Sequence, residues 1–196
     1  MAKVCVVYHS GYGHTKLQAE AVHRGAAGVA QVEAHLLTTE EAIARIDELD
    51  SADAIIFGYP TCMGSMSTRM KLFLEAAAKK WFTQAWKDKI AGAFTNSSGF
   101  SGDKLNTLIG LAINAMQHSM IYVGTGIMPW ANEPEGAKTV IGPSADAHNR
   151  LSSSMGPMAA SFEVRAPDAP AKGDIETAEL YGHRVATITL RFLKGA

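Results

Sequence analysis

Six residues near the start of the chain, Ser10-Gly11-Tyr12-Gly13-His14-Thr15, have the types and spacing to hold a dianionic phosphate. Gly11 and Gly13 can adopt positive φ and let backbone amides close around an anion. The hydroxyls of Ser10 and Thr15 can add hydrogen bonds. The loop contains no Lys or Arg. It needs none if it opens a helix, because unpaired N–H groups and the helix dipole already favour negative charge there. Neither common nucleotide loop is present. The Gly-Lys-Ser/Thr of a Walker loop is missing, and Lys16 stands where a dinucleotide fingerprint has its third glycine. A tight strand-to-helix turn that binds nothing would have the same composition.

Two later stretches share this character. Pro60-Thr61-Cys62-Met63-Gly64 can lie along a flat heterocycle, with the N–H groups of Thr61 to Gly64 as donors and Met63 as a soft apolar surface. Thr95-Asn96-Ser97-Ser98-Gly99, with Ser101 beyond it, can hold a polyol chain and a ring edge through hydroxyls and amides. Ser67 reads as the cap of the next helix and Met70 as core. The seven histidines show no His-x-x-x-His spacing, and Cys5 and Cys62 form no Cys-x-x-Cys, so no metal site is expected. Cys5 is expected to be a packed strand residue. Cys62 would be reactive only if its loop exposes it.

The elements that must position these loops follow from hydrophobic pattern. Strands are expected over about 3–8, 31–37, 54–59, 90–95 and 120–123. Helices are expected over about 15–28, 42–49, 67–80, 103–117 and 174–194, the second behind an N-capping stretch at Thr38-Thr39-Glu40-Glu41. Ala54-Ile55-Ile56-Phe57-Gly58-Tyr59 is apolar almost throughout, as in a parallel strand covered on both faces. This alternation predicts an α/β protein with a flavodoxin-like doubly wound five-stranded parallel sheet, order 2-1-3-4-5, and helices on both faces. The three loops then emerge at one edge, where such sheets bind ligands. One domain is expected over 1–196. Residues 124–173 form a long Gly-, Pro-, Ser- and Ala-rich excursion that should be functional or interface-forming.

Composition narrows the function classes. A formal net charge of −1 with no run of one sign disfavours nucleic-acid and membrane-surface partners. No apolar run is long enough for a transmembrane helix, and Val4 to Tyr8 is too short for a signal-peptide core. A cytoplasmic enzyme or binding protein is expected.

The hydroxyl-rich loop after the first strand resembles a flavodoxin-like FMN phosphate loop. Tyr8 to Thr15, Ile55 to Ser67 and Met70 to Glu75 resemble the WrbA-type NAD(P)H:quinone oxidoreductases, FMN proteins of the flavodoxin-like superfamily. The similarity continues through Lys80-Trp81 and Lys89-Ile90-Ala91, and Tyr181-Gly182 matches the family's last helix. The resemblance implies that Ser10, Tyr12, Gly13, His14 and Thr15 bind the FMN phosphate. It places Thr61, Cys62 and Met63 on the isoalloxazine and Asn96 to Ser101 on the ribityl chain and ring edge. Tyr12, Trp81 and the Gln117-His118 pair would shape the acceptor site. Cys62-Met63 replaces the family's Arg-Phe, which bears on the flavin potential, and Gln117 stands where the family has its active-site histidine. The family's insertion after strand 2 is absent, and its Pro-Tyr-Gly segment is not clear around Met155 to Met158. The implied reaction is ping-pong: hydride passes from NADH or NADPH to flavin N5, then to a planar quinone-like acceptor, in a homodimer or homotetramer. A single-electron flavodoxin carrier and a flavin-binding scaffold with little catalysis are the alternatives.

Overall fold

The computed structural model describes residues 1–195. Four parallel strands make the centre of the sheet: β1 (Ala2–Tyr8), β2 (Val32–Thr38), β3 (Ala54–Cys62) and β5 (Ile90–Ser97). A short β4 (Ser65–Met66) folds back on the end of β3, and β6 (Ile121–Tyr122) and β7 (Met158–Ala160) both pair with β5. The main order is β2-β1-β3-β5-β6, which is the expected doubly wound arrangement. β1 runs in register with β2 from Ala2↔Val32 to Tyr8↔Thr38, and β3 with β5 from Ala54↔Ile90 to Pro60↔Asn96. These registers bring the carboxyl ends of β1, β3 and β5 to one edge.

The unbroken apolar run of β1 follows from two-sided burial. Val4 and Val6 pack with Ile56, Val22, Tyr181 and Val185 on the face covered by α1 (His14–Ala27) and α6 (Lys172–Lys194). Cys5 and Val7 pack with Phe57, Phe73, Trp86 and Leu111 on the face covered by α3 (Thr68–Ala76) and α5 (Lys104–Gln117). Burial pushes the Cys5 thiol up to about 11, so it is an inert packing group.

Several boundaries differ from expectation. Thr38 caps α2 (Thr39–Ala44) through a reciprocal box with Glu41, as its sequence suggests, but the chain then tightens into a 3₁₀ turn over Ile46–Ser51. The expected helix over 67–80 breaks at Ala77 into α3 and α4 (Ala78–Phe82). Ser67 occupies the N-cap position without a side-chain cap bond, and its buried Oγ has no partner among the described residues. β3 runs past Tyr59 to Cys62, so the expected loop after it is a tight hairpin with β4. Met63 and Gly64, with φ of 48° and 79°, supply the two positive-φ positions such a turn requires.

The excursion is not mere loop. Within it, β7 lies parallel to β5 with Thr95↔Met158 and Ser97↔Ala160, while β6 covers the other end of the same edge at Ile90 and Ala91. The fifth strand is thus split, with residues 123–157 leaving between its halves. In the gap the fully buried Tyr181 hydroxyl accepts from Ala93 N at 3.1 Å and donates to Val123 O at 2.6 Å. A buried ion pair fixes the returning strand. Arg150 Nε and Nη2 donate to Asp174 Oδ1 and Oδ2, both at 2.8 Å, and Ala160 N donates to Asp174 Oδ2 at 3.0 Å. Removing one member of such a pair leaves a buried charge without a partner. Arg150→Met is therefore expected to cost about 3–5 kcal/mol in urea unfolding. A loss below about 1 kcal/mol would place the pair among weak surface bridges.

Candidate functional site

The loop after β1 ends at Gly13, which is the N-cap of α1 with φ 94° and ψ −27°. That conformation is open to glycine and strained for other residues, and a Cβ here would lie 2.9 Å from the Ala166 Cβ. Gly13 N donates to Ser10 Oγ at 3.1 Å, which locks the turn. Among the described residues, the N–H groups of Gly11, Tyr12, His14, Thr15 and Lys16 have no hydrogen-bond acceptor in the chain. Five unpaired donors at the start of a fourteen-residue helix form the anion site that the sequence suggested. Gly11 does not use positive φ, so Gly13 alone supplies that freedom.

The loop after β5 has a complementary pattern. The carbonyls of Ser97, Ser98 and Gly99 accept from Ser161 N (3.1 Å), Phe162 N (2.8 Å) and Lys104 Nζ. The N–H groups of Ser98 and Gly99 make no bond within the described chain. Between the two loops lies a cleft of about 560 Å³, a size that suits a cofactor. Tyr12, His14, Pro60, Thr61 and Cys62 line one side, and Asn96, Ser97 and Ser98 another. Ser161 to Ala166, from the excursion, close the remaining wall. His14 Nε2 donates to Val164 O at 2.8 Å and ties that wall to the phosphate-type loop.

Not every expected side chain faces the cleft. Thr95 is buried, and its hydroxyl joins Thr61 Oγ1 (2.9 Å), which in turn donates to Thr107 Oγ1 (2.8 Å). These hydroxyls brace β3, β5 and α5 against each other. Buried Asn96 binds Ser161 Oγ at 3.3 Å and so braces β7. Cys62 is exposed at the cleft. Met63 and Gly64 form the hairpin tip, and fully exposed Met63 does not line the cleft. Ser101 faces a neighbouring depression beside Arg150.

Trp81, Gln117 and His118 also depart from expectation. They line a separate groove of about 720 Å³ between α3, α4 and α5, which shares no residue with the first cleft. Within one chain they do not shape a site with Tyr12. His118 is buried with its ring stacked on Trp86, centroids 4.6 Å apart, and its Nδ1 has no partner among the described residues. Burial lowers its pKa, so it is a neutral core group. No metal-binding cluster occurs among the described residues.

Comparisons with known proteins show the family and the fold. The model of the NADPH-dependent FMN reductase family matches residues 18–135. The chain belongs to that family. It is 41% identical over 189 residues to flavodoxin FldP of Pseudomonas aeruginosa, covering 96% of this chain and 97% of the relative. It is 31% identical to an NAD(P)H dehydrogenase (quinone) of Syntrophobacter fumaroxidans, covering 72% and 85%. The flavodoxin, WrbA-like protein from Agrobacterium tumefaciens superposes with a TM-score of 0.70 at 38% identity, covering 97% and 99%. The expected resemblance and flavodoxin-like fold are both borne out. The family match begins after the Ser10–Thr15 loop and ends before the Ser161–Ala166 wall, so the phosphate-type loop and the outer wall stand on their own geometry.

The wall was not legible in the sequence. Met158-Ala159-Ala160 is a weak strand signal, since alanine has low β preference, and nothing local marks the residues after it as site-forming. Gly13→Ala tests the loop. Positive φ and the Ala166 contact are expected to lower FMN affinity at least tenfold, about 1.4 kcal/mol, in a flavin-fluorescence titration. Unchanged affinity would mean the loop does not hold the phosphate.

Proposed function

We propose that this chain binds FMN in the cleft between the Ser10–Thr15 and Ser97–Gly99 loops and is an NAD(P)H:quinone oxidoreductase. The observation that carries this reading is one cleft lined by Tyr12, His14 and Ser98, whose N–H groups are unpaired among the described residues, beside a loop whose Ser97 to Gly99 carbonyls are turned to the protein. In this reading Gly11, Tyr12, His14 and Thr15 donate to the phosphate from the start of α1, with the Thr15 hydroxyl beside them. Ser98 and Gly99 donate to the ribityl chain and ring edge, and Pro60 to Cys62 lie along the ring. FMN supplies the two-electron chemistry, accepting hydride from NADH or NADPH and delivering it to the acceptor. Tyr12, 88% exposed at the mouth of the cleft, offers an aromatic face for a planar nicotinamide or quinone. Donor and acceptor then use one place in turn, so no side-chain nucleophile is required.

The name of the Pseudomonas aeruginosa relative favours a second reading, a flavodoxin that passes single electrons to a protein partner. Steady-state kinetics separate the two. The enzyme reading expects NADH or NADPH oxidation with benzoquinone well above free FMN, and parallel double-reciprocal lines when both substrates are varied. Turnover no faster than free FMN contradicts it and leaves the carrier. No helix among the described residues is long and apolar enough to cross a membrane.

A homodimer or homotetramer belongs to the same reading. Leu105, Ile109, Ile113 and Met116 form an exposed apolar stripe along α5, beside the groove that carries Trp81. Sedimentation at the mass of one chain would overturn this part.

A further inference from the structure

Lys104 opens α5 and is fully buried. Its Nζ donates to Ser97 Oγ at 2.8 Å and to the Gly99 carbonyl. The Ser97 hydroxyl donates onward to the same Gly99 oxygen at 3.4 Å. Among the described residues the ammonium has no carboxylate of its own. Asp174, the carboxylate that acts on it from α6, is committed to Arg150 and to Ala160 N. Burying an ammonium without an ion pair is costly, and a hydrophobic side chain would fill the space at less expense. The turn before it is folded tightly onto this contact. Gly102 and Asp103 both have positive φ, 51° and 54°, and a Cβ on Gly102 would lie 2.1 Å from Ser97 Oγ. The chain thus places two residues in left-handed conformations to bring Lys104 under the loop.

The loop held this way is the wall of the cleft formed by Ser97 and Ser98. With the Gly99 carbonyl drawn down to Nζ and the Ser97 and Ser98 carbonyls taken by the excursion, no carbonyl of the three is free to face a ligand. We propose that Lys104 is a positioning residue for the bound cofactor: its buried ammonium clamps Ser97 to Gly99 from behind, keeps the Ser98 and Gly99 amides free for the ligand, and adds positive charge behind that wall. The proposal rests on FMN occupying the cleft.

The clamp has a protonic signature. Burial lowers Lys104 to about 8, with Asp174 raising it and Arg150 lowering it. Asp103 precedes it in the turn, and Tyr12, His14, Cys62, Glu163 and Arg165 lie across the cleft. An anion bound in the cleft favours the charged ammonium and moves Lys104 back toward the ordinary lysine value, about 10.4. The free chain has lost part of that proton above about pH 8 and must take it up on binding. A phosphate monoester, with a second pKa of about 6, is already fully ionised there and contributes no uptake. FMN affinity therefore falls as pH rises through this window.

The test is calorimetric titration of FMN into the full chain at about pH 8.5, in two buffers of different ionisation enthalpy, for the unaltered chain, Lys104→Met and Ser97→Ala. The unaltered chain is expected to take up a fraction of a proton. Lys104→Met is expected to bind about tenfold more weakly with no uptake, and Ser97→Ala to weaken binding less while keeping uptake. Equal affinity and equal uptake in Lys104→Met overturn the proposal while leaving FMN binding intact. If the unaltered chain takes no FMN, the cofactor reading fails and this proposal fails with it. Should Lys104→Met fail to fold, as judged by circular dichroism, the pair of unaltered chain and Ser97→Ala decides. Proton uptake with weakened Ser97→Ala binding supports the clamp, and either no uptake in the unaltered chain or unweakened Ser97→Ala binding overturns it.

Discussion

The Arg150–Asp174 pair is the constraint on which the candidate site depends. It joins the excursion to the first turn of α6, and the same carboxylate takes the amide of Ala160 in β7. β7 then lies on the carboxyl half of β5, and the residues after it, Ser161 to Ala166, reach across to Tyr12 and His14. Without that anchor a three-residue strand of Met and Ala has little of its own to hold it on a sheet edge. The pair is bidentate and almost completely buried, so the cost of desolvating it is offset by fixed geometry rather than by long-range attraction.

Given that wall, the rest of the site is a matter of where backbone groups point. Each carbonyl of Ser97, Ser98 and Gly99 has a partner inside the protein, and the amides of Ser98 and Gly99 do not. At the start of α1, Ser10 consumes only the Gly13 amide and leaves those of Gly11, Tyr12, His14, Thr15 and Lys16. Buried or ligand-facing peptide groups must find partners, so an arrangement that satisfies acceptors and withholds donors selects an electron-rich ligand. The catalytic burden on side chains is correspondingly small. Cys62 is exposed, His118 is locked against Trp86, and the hydroxyls of Thr61 and Thr95 brace the scaffold.

Much of this was legible in the sequence, and the reason is local. Continuous apolar strands, a glycine-bearing turn ahead of a helix, and the Thr38–Glu41 capping box each carry their own signal. The loops after β1, β3 and β5 could be named because strand order fixes which ends meet. What could not be read depends on long-range partners. Lys104 looks like an ordinary first-turn lysine until Gly102 and Asp103 turn it inward. β7 is invisible without Asp174. Trp81, Gln117 and His118 sit on helices whose faces are set by packing, and the structure gathers them in a groove of their own rather than beside Tyr12.

The most direct measurement is the assigned amide spectrum of the isotope-labelled chain before and after adding one equivalent of FMN. Amides that donate to phosphate or flavin oxygen move strongly downfield, so the account predicts the largest shifts at Gly11, Tyr12, His14, Thr15, Ser98 and Gly99. Smaller changes should follow along Ser161 to Ala166, whose wall closes the cleft. Shifts centred on Trp81, Gln117 and His118, with the Ser10–Thr15 amides unmoved, would contradict it and place the cofactor in the other groove.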